Sequence, residues 1–98
     1  LTDQQIETIR SAAADIYGPD AEVWLFGSRA DDLARGGDID LYIETGKIDP
    51  KRLLQLETRF WIRLQRLLGE RRIDVVSRAS GQPMQPIHNI ARREGIRL

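Results

Sequence analysis

The chain has 98 residues, 41% hydrophobic and 31% charged, which suits a single globular domain over 1–98 with one modest core and argues against disorder. Fifteen basic and fifteen acidic residues cancel, so no global field draws DNA, RNA or an anionic membrane, and nucleic acid is not an expected partner. The absence of cysteine excludes disulfides and thiolate metal sites, and His88 alone cannot build a zinc centre. No apolar run approaches the roughly 20 residues of a membrane span and no signal-like segment opens the chain, so the cytoplasm is the expected location.

The opening "LTDQQIETIRSAAADIYG" predicts a helix. Thr2 and Gln5 have capping-box spacing, Leu1 and Ile6 the spacing of a hydrophobic staple, and Ile6, Ile9, Ala13 and Ile16 one apolar face. Gly18 and Pro19 end it. "AEVWLFG" (21–27) reads as an interior strand that stops at Gly27, with Trp24 in the core. A short helical turn is expected from Ser28 to about Ala34, then a glycine turn at 35–37. "DIDLYIE" (38–44) alternates strictly, so Ile39, Leu41 and Ile43 share one face while Asp38, Asp40 and Tyr42 share the other.

Asp49 and Pro50 read as an N-cap and a first helical proline for a helix over 50–68. Its main apolar stripe is Leu53, Leu56, Phe60, Leu64 and Leu67, with a second stripe of Leu54, Trp61 and Leu68. Leu54 and Leu68 are expected to be buried and Ile62 exposed. "RRIDVVS" (71–77) predicts a third strand. "MQPIHNIARRE" predicts a last short helix, with His88 on its surface and Gly95 as its left-handed stop. The tail "GIRL" is left to dock on its own core or on a partner. The expected fold is α/β (α+β): a small mixed sheet flanked by helices in the order α-β-α-β-α-β-α.

Two carboxylates two residues apart on a strand share a face, with backbones about 6–7 Å apart. Side chains converging from Asp38 and Asp40 can share one divalent cation or bridge two, as in-line phosphoryl displacement requires. Mg²⁺ takes carboxylate oxygens and needs neither histidine nor cysteine. In "RIDVV", Asp74 joins the same face if the strands are neighbours, as a third ligand or as acceptor of the attacking hydroxyl's proton. Gly27 permits a close backbone approach, Ser28 opens a helical turn whose free N–H groups and hydroxyl suit a phosphate, and Arg29 adds positive charge. Taken singly, Ser28 is a helix cap, the aspartates a wet strand face and Asp74 a surface ion pair with Arg71 or Arg72. As one linked set they point to catalysis.

"GSRADDLARGGDIDLYI" resembles the Gly-Ser, spacer, Asp-x-Asp signature of the DNA polymerase β-like nucleotidyltransferase superfamily. The "FGSRA…GDIDL" wording and the length are similar to its minimal branch, the MNT proteins of HEPN–MNT toxin–antitoxin pairs. Nine residues separate Ser28 from Asp38, and Gly37 stands where many relatives have serine. The resemblance covers nearly the whole chain. It implies that Gly27, Ser28 and Arg29 bind nucleotide and that Asp38, Asp40 and Asp74 are catalytic and hold Mg²⁺, two ions in all. It further implies ATP as substrate and AMP transfer to a tyrosine of a helical HEPN toxin as the antitoxin activity. The rival readings are an antitoxin that neutralises by binding alone, and a nucleotidyltransferase acting on a small molecule or an RNA end. The missing acceptor domain and the neutral charge weigh against the latter pair.

Overall fold

The structure, a computed structural model, describes residues 2–26, 39–69 and 71–98. The expected turn at 28–34 and the glycines at 35–37 lie outside them. The elements run α1 (Asp3–Tyr17), β1 (Glu22–Phe26), β2 (Ile39–Thr45), α2 (Pro50–Leu68), β3 (Ile73–Ala79), α3 (Pro86–Glu94) and β4 (Ile96–Arg97). Four strands form one mixed sheet in the order β3-β2-β1-β4. β1 pairs antiparallel with β2 and β4, while β2 and β3 are parallel and joined through α2, the crossover that a parallel pair needs.

Local chemistry explains the helix ends. The Thr2 hydroxyl accepts from Gln5 N at 3.0 Å and the Gln5 side chain accepts from Thr2 N at 2.9 Å, the predicted reciprocal cap. Asp49 accepts from Lys51 N at 3.1 Å and Arg52 N at 3.4 Å, with Pro50 opening α2.

The main core lies between one sheet face and α1 plus α2. Ile39, Leu41 and Ile43 meet Ile9, Ala13, Leu53, Leu56, Phe60 and Leu64 there, as the alternating and helical patterns require. A smaller core sits on the opposite face, where Trp24, Phe26, Tyr42 and Val76 pack against Ala91 of α3.

Three expectations are corrected, and the tail, left open between its own core and a partner, is placed. Leu54 is 63% exposed and Leu67 57% exposed, because α2 rests on a single sheet face and buries only the stripe through Leu53, Leu56, Phe60 and Leu64. His88 is buried at 8% exposure, since α3 turns it onto the second face against Tyr42, with ring centroids 5.3 Å apart. Gly95 is not left-handed, having φ −78°. A Cβ there would stand 2.2 Å from Ala91 O and 3.0 Å from Leu25 O, so glycine serves a close approach of α3 to β1. The tail forms β4, whose Ile96 and Arg97 pair with Leu25 and Trp24 of the same chain. Ile62 is exposed and Trp24 buried, as expected.

Candidate active site

Strand parity sorts the second sheet face into rows. Phe26, Asp40 and Asp74 are direct register partners across β1, β2 and β3, and the next row is Arg97, Trp24, Tyr42 and Val76. Beyond it lie Glu22, Glu44 and Arg78. α3 covers the middle row, and Tyr42 beneath it is fully buried. The first row is left open enough for Asp40 to be half-buried and the Asp74 side chain to be 53% exposed. Asp40 and Asp74 are therefore brought together, on neighbouring strands about 4.8 Å apart. Gly27, Ser28, Arg29 and Asp38 lie outside the described residues.

Like charges directly opposite one another destabilise a sheet. For a carboxylate pair held this way, nearby positive charge offsets the repulsion. Arg72 supplies part of that charge, with Nε 3.6 Å from Asp74 Oδ2. At 72% side-chain exposure its pull on Asp74 is weak. The oxygen-only donors of Asp40 and Asp74 fit a hard cation such as Mg²⁺, which shares carboxylates with water and phosphate. Among the described residues no group of three or more acidic or imidazole side chains converges as a complete metal cage.

The wall beside the carboxylates is firmly built. The Tyr42 hydroxyl donates to Glu44 Oε2 at 2.6 Å, and Arg78 and Arg92 approach the same oxygen at 3.7 and 3.6 Å. Burial first, and then the Glu44 carboxylate, push the Tyr42 phenol well above its ordinary pKa, so it stays a donor. Arg92 and Arg97 lie over the Trp24 ring at 5.4 and 5.2 Å, fastening α3 and β4 to β1. Sequence reasoning placed Tyr42 on the carboxylate face but missed Glu44, Arg78 and Arg92 as its support. Parity held part of the signal, since residues 40, 42, 44 and residues 74, 76, 78 alternate together. The role of Arg92 depends on how α3 docks, which periodicity does not contain.

A family model described as a nucleotidyltransferase domain matches residues 6–97. No curated protein matches the chain. Among the described residues, no helix is long and apolar enough to cross a membrane.

Proposed function

Because the chain belongs to the nucleotidyltransferase-domain family, we propose that it transfers AMP from ATP to a hydroxyl, with Mg²⁺ held by Asp38, Asp40 and Asp74. Nucleotidyl transfer in general follows from the family. The nucleotide, the metal and the acceptor are this proposal's own content. The observation that carries it is the register pairing of Asp40 with Asp74 at the open corner of a face that is otherwise roofed by α3.

Gly27 and Ser28 follow Phe26 in the sequence. In this reading their N–H groups and the Ser28 hydroxyl grip the triphosphate, and Arg29 adds charge. A bound divalent ion would neutralise charge developing on the transferred phosphoryl group. The acceptor oxygen attacks the α-phosphorus as the bond to pyrophosphate breaks. Asp74 takes the hydroxyl proton, and pyrophosphate departs. The exposure of Asp74 suits that exchange of protons with solvent.

The resemblance to the MNT branch supports a tyrosine of a HEPN-type helical toxin as acceptor, and so an antitoxin role in the cytoplasm. Adding AMP places negative charge and bulk where an RNase must hold an RNA phosphate. The experiment is mass spectrometry of the co-expressed toxin, with wild type and with Asp40→Asn. A mass gain of one AMP in the first sample alone supports the reading. A silenced but unmodified toxin in both leaves neutralisation by binding.

A further inference from the structure

The zero net charge is the sum of two opposed halves. Residues 1–49 carry eleven acidic and four basic side chains, and residues 50–98 carry the reverse. Much of the second half's excess lies on α2, where Lys51, Arg52, Arg59, Arg63 and Arg66 stand against Glu57 alone. Glu57 is turned toward β3, where it meets Ser77, and Arg63 is tied to Asp15 of α1. The outward side of α2 therefore carries positive charge and no carboxylate of its own. Arg52 donates to Gln55 Oε1 at 3.3 Å, and among the described residues Arg59 and Arg66 have no ion-pair partner.

The spacing on that side is regular. Arg52, Arg59 and Arg66 recur every seven residues, so they form one row along the helix in steps of about 10 Å. Leu54 and Trp61 repeat the same interval along the other flank of the exposed face, and are 63% and 43% exposed. Ile62, 42% exposed, lies between the two rows. A shallow depression of about 500 Å³ near the start of the helix is lined by Arg52, Leu54, Gln55, Thr58 and Arg59. Trp61 donates through Nε1 to Ile73 O at 2.8 Å, so the apolar flank is fixed before anything docks on it.

A face with apolar side chains on one flank and unpaired arginines on the other fits a helix that carries the complement. A second copy of this chain does not supply it. Whichever way two α2 faces meet, each arginine row meets arginines or the apolar flank, and never a carboxylate. A nucleic-acid strand would answer the arginines but leave Leu54, Trp61 and Ile62 against phosphate and water. We propose that the outer face of α2 docks an amphipathic helix of a partner protein, its acidic row against Arg52, Arg59 and Arg66 and its apolar row against Leu54, Trp61 and Ile62. The proposal stands on α2 alone, whether or not that partner is an acceptor of a nucleotidyl group. Exposed ion pairs each contribute little, so the charges set encounter rate and orientation while the apolar contacts hold the complex.

The probe is a synthetic helical peptide of three heptads, with leucine at two positions in each and glutamate on the flanks, beside a twin that has lysine for glutamate. In ¹H–¹⁵N spectra of the whole chain, the glutamate peptide should shift the amides of Thr58, Arg59 and Ile62 and the Trp61 indole. It should leave the Trp24 indole in place, the two indoles being told apart by Trp61→Phe. Its affinity should exceed that of the lysine twin at least tenfold and fall at least tenfold between low and high salt. Arg59→Glu with Arg66→Glu should reverse the preference. Both side chains are exposed and unpaired, so the melting temperature should hold. Should that variant fail to fold, Arg59→Gln with Arg66→Gln must erase the preference instead. Leu54→Ala should weaken the glutamate peptide severalfold. Unmoved α2 signals, equal affinity for the two peptides, or indifference to Leu54→Ala each overturn the proposal. So does a single-stranded RNA that binds these arginines more tightly than the peptide and ignores Leu54→Ala, which would make the face a nucleic-acid surface. Wild-type self-association that Arg59→Glu with Arg66→Glu abolishes also overturns it, in favour of an interface between copies.

Discussion

Asp40 and Asp74 face each other because both strands carry an aspartate at matching register positions, and hydrophobic neighbours on the other face lock that register. Slipping either strand by one residue would drive a carboxylate into the core. Asp40→Asn and Asp74→Asn should each cut nucleotidyl transfer by a factor on the order of a hundred or more, measured as pyrophosphate release. For Asp74→Asn the melting temperature should hardly move. Relief of repulsion from Asp40 offsets the loss of an exposed ion pair worth about 0–1 kcal/mol. A large drop in melting temperature would make Asp74 a structural residue. Ser28→Ala tests the phosphate end: nucleotide affinity should fall severalfold, while stability changes by about the 1 kcal/mol of a lost cap. Equal ATP affinity in both proteins would leave Ser28 with a capping role alone.

α3 is the element that shapes the site. It roofs Trp24, Phe26, Tyr42 and Val76 but leaves the Asp40–Asp74 side of the first row less covered, so the same face is core on one side and open on the other. Its fit depends on Gly95, where an added methyl would meet two backbone oxygens that have no freedom to swing away. Gly95→Ala should cost about 1–3 kcal/mol, as other overpacked sites do. The expected fall in melting temperature is about 4–8 °C per kcal/mol for a domain of this size. The fall should come with increased hydrogen exchange in α3 and β4. Wild-type stability in this variant would mean that α3 does not lie against β1 as described. α2 has a different weak point: Asp49→Ala removes the bonds to Lys51 N and Arg52 N, at about 1 kcal/mol.

At the level of the whole molecule, the docking of α3 carries a pH dependence. His88 is buried against Tyr42, accepts from Gln85 N through Nδ1 at 3.0 Å, and has its pKa lowered by burial first and then by the nearby Arg78, against an upward pull from Glu44. A base whose folded pKa is depressed binds protons more readily when unfolded. Its contribution is thus intact above the ordinary value of 6.5 and is lost as pH falls from there through the folded pKa. Glu57 titrates with the opposite sign: burial raises its pKa, so the cost of its charge appears as pH rises above 4.5. Melting temperature should therefore drop below about pH 6.5 in the wild type and drop less in His88→Gln, which keeps an acceptor without a titrating ring. Identical pH profiles for the two proteins would remove His88 as the cause.

The N-caps of α1 and α2, the three longer strands and the shared face of Asp40 and Asp74 were legible in the sequence, because they depend on local spacing. Capping residues act within one turn, and alternation has a period of two wherever a strand half-buries itself. The linked Gly-Ser and Asp-x-Asp wording was legible for the same reason. Tertiary structure alone decided which strands are neighbours, and so that Asp40 meets Asp74 rather than a solvated edge. It also decided that His88 is buried, that Leu54 and Leu67 are exposed, and that the last residues form β4 on their own sheet. Those outcomes turn on which surfaces remain uncovered after α1, α2 and α3 have docked. A hydrophobic residue on a helix flank is buried only if a second layer reaches it, and no local pattern records whether one does.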